Sequence, residues 1–503
     1  MSRKQYVFLT LLIVLVFPLL YPLFKAGFPI TDDADWFIIR FTAFYQALVQ
    51  GHFPVRWLGR LNFNYGYPVA NFNYPAYMYG AVLPKLLGFG FVVSIKLVLG
   101  VSMVSASVFT FLWLKSMFNR TCALVGASVY IYHPYILFDL YQRGSIGEIV
   151  ALGVVPFVFW SIERKSRLWT AIGLAILITS HNILAVLFFP VLIAYMHVRS
   201  QFNKRDLALS VLVGLGLAAF FWLPAIYDLQ YTVFTNTTVS VWMDHFADIK
   251  LFGYLNIVIL LLSLGIVFRH RAKLSVLSWG LVAFGFFLST SLSNLVWKIL
   301  PVTFVQFPFR MLAVTIPGLA LLAAYIIYRL PGKLKIGVGT VLIILQLIVA
   351  IPVLTAVEIV DKGEGFYATN ESSSTIKNEY MPIWVEQDFM THAEQKVHLI
   401  DGGGEIIPVQ EKGHLIEFKA NLDVPSTVEI NSIYFPGWIA RLDSKEIDIL
   451  VSEKGTMNIE IPTGQHQVEV MFQETTLRMI ANLISITTLF VIVILQFKLW
   501  KKS

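Results

Sequence analysis

Apolar blocks of about 17 to 22 residues, separated by short basic clusters, follow one another along most of this chain, and a block of that length is what a helix needs to cross roughly 30 Å of hydrocarbon. Spans, not a water-excluding globular core, therefore organise the fold. Composition agrees: of 503 residues, 57% are hydrophobic and 14% charged, against about 25% charged in soluble domains. Spans placed at about 6–24, 92–114, 121–139, 149–161, 169–179, 183–197, 208–226, 251–268, 274–290, 310–328, 337–355 and 477–497 give about twelve crossings, with both termini on one side. The three between 149 and 197 are short, as tilted or interior helices are. The same side collects Arg3 and Lys4; Lys115 and Arg120; Arg164, Lys165 and Arg167; Arg199, Lys204 and Arg205; Arg269, Arg271 and Lys273; Arg329, Lys333 and Lys335; and Lys498, Lys501 and Lys502. Glu163 and Asp206 are their only acidic company. The positive-inside rule makes this face cytoplasmic. Ser2, Arg3, Lys4 and the apolar run to Phe24 look like a signal sequence, but no clear small-residue cleavage site follows, so the segment is read as a retained first span.

Three segments then lie outside. Residues 25–91 open with Thr31-Asp32-Asp33-Ala34-Asp35, continue through an amphipathic helix to about Gln50, and become rich in aromatic residues, Asn, Gly and Pro; this is too long and patterned for a simple connector. Residues 227–250 and 291–309 form smaller loops rich in Trp, Phe and Tyr, as interfaces favour. Residues 356–476 differ in texture. Their second half alternates apolar and polar residues at about 414–420, 426–434, 437–442, 446–451, 456–461 and 466–472, broken at Asp443-Ser444 and Thr463-Gly464. Period-two alternation broken by turn residues predicts a small antiparallel β domain. The expected fold is thus an α-helical polytopic membrane protein with an extracytoplasmic β-rich domain before its last span. Residues 1–355 form the bundle, including outer loop 25–91; residues 356–476 form the outer domain, and 477–503 the last span and basic tail.

The formal charge of +7 does not point to nucleic acid, because the basic residues are scattered beside apolar blocks. Cys122 is the single cysteine, which excludes an intramolecular disulfide and a cysteine-cluster metal site. There is no HExxH, Walker loop or GxGxxG, so a cytoplasmic nucleotide is not expected as direct substrate. Asp401-Gly402-Gly403-Gly404 reads as a loose turn.

Ionisable residues at the outer face are the candidates for chemistry. Asp32, Asp33 and Asp35 follow the first span; mutual repulsion raises a carboxylate's pKa and suits a general base or a metal ligand. The alternative is a solvated helix start, where Asp caps free amides. Such a cluster also makes a divalent cation, Mg²⁺ or Mn²⁺, a candidate, although no all-protein cage is evident. Arg40, Arg56, Arg60, Arg143 and Arg310 sit on or near the outer face, against the charge rule. A guanidinium binds phosphate bidentately, or else pairs with nearby acids or snorkels to headgroups. Asp139 and Glu148 flank Arg143 in an outer turn between two spans, where ionisable groups are costly and often functional; a structural ion pair is the rival. His181 and Asn182 lie at the tip of a hairpin of short spans, and interhelical packing uses the same residue types.

The shared look of these residues resembles a known group. Asp33 is followed seven residues later by Arg40, then by Gly51-His52-Phe53-Pro54-Val55-Arg56-Trp57 and by Asn64-Tyr65-Gly66-Tyr67-Pro68 running into Tyr74-Pro75. Asp139-Leu140-Tyr141-Gln142-Arg143-Gly144 with Glu148, Ser180-His181-Asn182, and Gln306-Phe307-Pro308-Phe309-Arg310 continue the series. Over nearly its whole length the chain resembles prokaryotic membrane proteins labelled 6-pyruvoyl-tetrahydropterin synthase-related, a label implying no pterin chemistry here, within the GT-C superfold of membrane glycosyltransferases. Tyr434-Phe435-Pro436-Gly437-Trp438, followed by Pro462-Thr463-Gly464-Gln465-His466, is similar to the outer β module of related bacterial membrane proteins. One departure matters: such relatives often carry a His four residues after the first-loop Asp, and here that position is Phe37.

The resemblance implies transfer of a sugar from a polyprenyl-phosphate donor to a glycan, lipid or protein acceptor at the outer face of the cytoplasmic membrane. Asp33 would be the general base, with Asp32 or Asp35 in its place, and Arg143 and Arg310 would hold the donor phosphate. Arg40, Arg56, Tyr74, Glu148, His181 and Asn182 are the further substrate-binding candidates. The rival is a transporter or flippase for lipid-linked glycans, or an assembly factor. A transporter places ionisable groups near the bilayer midplane, whereas here they cluster toward the outer interface.

Overall fold

The structure, a computed structural model, describes residues 3–199, 203–236, 242–299 and 305–500. Lys501 and Lys502 of the basic tail, and parts of the expected outer loops at 237–241 and 300–304, lie outside the described residues. The chain is a multi-pass helical bundle with a β-rich region before its last helix. Among the described residues, six helices are long and apolar enough to cross a membrane: Phe91–Lys115, Ile146–Glu163, Asn182–Arg199, Pro308–Arg329, Gly332–Thr355 and Thr476–Leu495. Counting each bent helix pair as one span raises the number among the described residues to nine, with bends of 43°, 70° and 82°. The other expected spans fall on three shorter apolar helices, Thr10–Phe24, Arg167–Ser180 and Tyr254–His270. Length and composition therefore give six to nine crossings, where the hydropathy pattern led us to expect about twelve.

One of the bends has a plain cause. Helix Arg120–Ile131 stops at Tyr132, His133 accepts a hydrogen bond from the Tyr135 amide, and Pro134 opens the next turn; proline lacks an N–H and holds the preceding residue out of helical geometry. Pro308–Arg329 is buried almost throughout, whereas Gly332–Thr355 and Thr476–Leu495 leave most of their apolar side chains uncovered. A fully apolar helix at the rim of a bundle is lipid-facing.

Two short strands join the bundle to the β-rich region. β1 (Phe28–Pro29) pairs antiparallel with β2 (Ile359–Val360), Phe28 opposite Val360. This ties the chain just after the first helix to the chain just after Gly332–Thr355. Helix Gly363–Thr369 then lies along helix Ala34–Val49, held by the Thr42 hydroxyl, which donates to the Tyr367 carbonyl at 2.8 Å.

Nine further strands build two antiparallel sheets: β3 (Val397–Asp401), β4 (Gly404–Lys412), β5 (Leu415–Leu422), β6 (Ser426–Ile433), β7 (Trp438–Leu442), β8 (Lys445–Ile447), β9 (Leu450–Val451), β10 (Thr456–Ile461) and β11 (Gly464–Phe472). Their orders are β3-β6-β10-β9 and β4-β5-β11-β7-β8. Ile416, Phe418, Val428, Ile430, Ile459 and Val470 are among the residues that fill the buried core they share. The six alternating segments of the sequence all fall on strands; β3 and β4 were not expected. β4 is exposed along most of its length, so no alternation marks it. An aromatic joint seats the sandwich on the loop after helix Ala34–Val49: Trp57 lies 5.6 Å from Trp438 and 5.4 Å from Phe472 between ring centroids. Beside it, buried Arg478 of the last helix donates to Asp228 at 2.8 Å.

Candidate functional site

The ends of three helical elements and the first loop meet around Glu148. This residue stands in the first turn of helix Ile146–Glu163 and is fully buried. One of its carboxylate oxygens, Oε1, accepts from Arg143, from Arg310 Nε at 2.7 Å, and lies 3.5 Å from His181 Nε2. The other accepts the Tyr135 hydroxyl at 2.7 Å. Arg143 also donates to Asp139 at 3.1 Å. A single carboxylate thus holds two guanidinium groups that would otherwise repel, in surroundings where unpaired charge is costly. The Nη2 groups of Arg143 and Arg310 make no hydrogen bond among the described residues. Phe307 covers both cations, its ring centre 5.3 Å from the Arg143 guanidinium and 5.1 Å from that of Arg310, a cation–π arrangement.

Backbone pairing delivers the aspartates to this cluster. The amides of Asp32 and Asp33 donate to the carbonyls of Gln142 and Arg143 at 3.0 and 2.8 Å. That close approach depends on Gly144, which has φ of +74° and whose added Cβ would lie 2.2 Å from the Thr31 hydroxyl oxygen. As a result, Asp33 Oδ2 is 3.9 Å from Arg143 Nε, with the Asp33 side chain 30% exposed. It stands at the helix start yet makes no side-chain cap bond, so the carboxylate is not consumed in capping. Burial pushes the Asp32 carboxyl up, the Asp33 charge pushes it further, and Arg143 opposes both. Tyr74 stacks on His181 with centroids 4.4 Å apart, and burial pushes its phenol up to about 12, so it remains a donor.

Asp32, Asp33, Tyr74, Arg143, Glu148, His181 and Arg310, all singled out in the sequence, are therefore brought together. Four others are not. Asp35 is turned to Lys362 and to the Tyr367 hydroxyl, which donates to it at 3.1 Å. Arg40 holds Ser374, donating to its carbonyl from Nε at 3.0 Å. Arg56 is buried in the joint beneath the sandwich, bonded to Glu474 at 2.8 Å and to Asn71 and Asn482. Asn182 is exposed and bonds its neighbour's amide. With Asp35 drawn away the three aspartates do not form one ligand set, and no group of three His, Cys, Asp or Glu suited to a metal ion occurs among the described residues. The donor set does not fit the divalent cation that the Asp-rich sequence suggested.

Sequence reasoning missed Glu379. It arrives on the segment after helix Gly363–Thr369, tethered by the Arg40–Ser374 bonds, and feels the charges of Arg40 and Asp33. Burial and the Asp33 charge push its carboxyl up to about 7, with Arg40 opposing. A lone Glu in a polar stretch carries no spacing signal, so only the folded chain reveals it.

No family model matches the chain, and no curated protein matches its sequence. Among solved structures it is similar to arabinofuranosyltransferase AftD from Mycobacteria, at 14% identity and a TM-score of 0.45, over 72% of this chain and 27% of that one. It is similar also to ArnT from Cupriavidus metallidurans bound to undecaprenyl phosphate, at 15% identity and a TM-score of 0.48, over 73% of this chain and 68% of that one. A third is the Archaeoglobus fulgidus oligosaccharyltransferase tethered with an acceptor peptide, at 12% identity and a TM-score of 0.42, over 76% and 61% of the two chains. The chain thus spans about a quarter of the length of the first of these.

Proposed function

We propose that this protein is a membrane glycosyltransferase that moves a sugar from a polyprenyl-phosphate donor to an acceptor hydroxyl at the outer face of the cytoplasmic membrane. The observation that carries this reading is a partly exposed carboxylate, Asp33, 3.9 Å from Arg143, which is joined through Glu148 to Arg310. A base and a pair of cations side by side are the two groups that glycosyl transfer from a phosphate requires. Asp33 accepts the proton of the acceptor hydroxyl as its oxygen attacks the anomeric carbon. The bond from that carbon to the phosphate oxygen breaks, and the charge growing on the departing polyprenyl phosphate is met by the unpaired Nη2 groups of Arg143 and Arg310. Glu148 and His181 position those arginines, and Tyr74 donates toward the same space.

The test is transfer of labelled sugar from the lipid carrier in membranes. Asp33→Asn is expected to lower transfer by about 10²-fold or more while the protein inserts normally. Unchanged turnover removes Asp33 as the base. Movement of the lipid carrier across reconstituted vesicles without any sugar transfer replaces this reading with a flippase.

A further inference from the structure

Away from the Glu148 cluster, a cavity of about 570 Å³ opens between helix Ala34–Val49, the loop at 59–64, the segment at 368–371 and the β4–β5 hairpin. Its size is that of a small-molecule site. Close contact of two glycines closes it: a Cβ on Gly59 would lie 2.2 Å from the Cα of Gly413, and the Gly413 amide donates to Gln50 Oε1 at 3.3 Å. The cavity therefore exists only because the sandwich docks on the outer loop.

Its lining selects a ligand by chemistry. Gln46, Gln50, Arg60, Asn64, Glu371 and Lys412 contribute to the wall. Lys396 and Glu411 line it as well, so three cations face two carboxylates and no single-sign field favours an ion. Gln46 and Gln50, one helical turn apart, use their amide oxygens on Arg60 and Gly413; their NH₂ groups have no partner among the described residues. Arg60 Nε is likewise buried without a partner. Tyr45 and Phe91 add ring surfaces, 5.7 Å apart and nearly perpendicular. Amide and charged donors and acceptors of both signs beside aromatic faces suit a polyol with an apolar C–H face.

We propose that this cavity is an oligosaccharide subsite that holds the acceptor's glycan chain at a distance from the reacting end. This deepens the transferase reading and rests on it for the identity of the ligand as acceptor. At 1.5 Å per residue along the helix, the cavity stretches from roughly 13 to 25 Å beyond Asp33, several monosaccharide units away. The subsite would select acceptors already carrying a glycan.

The full-length protein in detergent micelles is immobilised and challenged with fluorescently tagged glycans released by mild acid from membranes of cells lacking the protein. The wild type is expected to retain a set of these glycans above bare micelles. The double variant Gln46→Ala, Gln50→Ala, checked for unchanged melting temperature, is expected to lose retention at least tenfold. Glu371→Gln provides a second cavity variant, with a weaker loss expected. Equal retention by the wild type and both cavity variants, or none by the wild type above bare micelles, overturns the subsite. Retention of membrane-derived peptides in place of glycans, lost in the double variant, makes it a peptide site and also overturns it. Because retention is read without transfer, failure of Asp33 as base leaves this result standing, and failure of the subsite leaves the transfer assay untouched.

Discussion

At Glu148 one oxygen serves Arg143, Arg310 and His181, so this side chain, though not the proposed base, carries the cluster's electrostatics. Replacing it by glutamine keeps the shape and leaves two buried guanidinium groups facing each other. Glu148→Gln is expected to lower stability by about 3–5 kcal/mol, measured as thermal unfolding in detergent, and to abolish transfer. Asp33, 30% exposed and 3.9 Å from its partner, contributes about 1 kcal/mol or less. Asp33→Asn therefore separates chemistry from folding. Glu379 gives the pH dependence: its folded pKa of about 7 lies above the ordinary 4.5, so between those values the folded state binds the extra proton and stability falls as pH rises. Glu379→Gln is expected to flatten that slope, which is at most about 1.4 kcal/mol per pH unit, in denaturation curves collected from pH 4.5 to 7.5. Asp33, Arg143 and Arg310 were legible in the sequence because ionisable groups beside spans stand out against lipid. Asp35 was not separable from Asp33, since its partners Lys362 and Tyr367 lie more than three hundred residues away.

At the level of elements, the site depends on how the first loop meets the turn before helix Ile146–Glu163. Gly144 allows that contact. Gly144→Val meets both a left-handed φ and the Thr31 side chain, so it is expected to shift Asp33 by about an ångström and reduce the transfer rate by about 10²-fold, checked by single-turnover kinetics on saturating donor. The spans and six alternating segments could be read directly, because hydrophobic period reports which face is buried. The helix breaks other than the one at Pro134, and the return of residues 356–380 over the first loop, could not. At the 70° bend between Lys204–Leu217 and Ala219–Tyr231, the Phe220 amide donates to the Ser485 hydroxyl at 2.8 Å and that hydroxyl donates to the Gly216 carbonyl at 3.0 Å, a contact no local window contains. β4 escaped notice for the complementary reason: it buries no residue, one face being exposed and the other only half-covered.

For the molecule as a whole, the arrangement predicts sidedness. Cys122 is buried and is the sole native thiol, so introduced cysteines report cleanly. Ser444→Cys, on an exposed turn of the sandwich, is expected to react with a membrane-impermeant maleimide in intact cells. Lys333→Cys, exposed in the first turn of Gly332–Thr355, should react only after permeabilisation; the reverse pattern would place the Asp33 cluster on the cytosolic side. The sequence by itself determined that the chain lives in a bilayer, which ionisable residues flank its spans, and that a β-rich region precedes the last of them. Those properties are local sums of hydropathy and charge. Only the tertiary structure decided that Asp33, Arg143 and Arg310 share a cluster while Arg56 and Asp35 do not, and that the sandwich closes a polar cavity against the outer loop. Such contacts join positions hundreds of residues apart, and they are fixed by packing of elements whose own sequences carry no record of their neighbours.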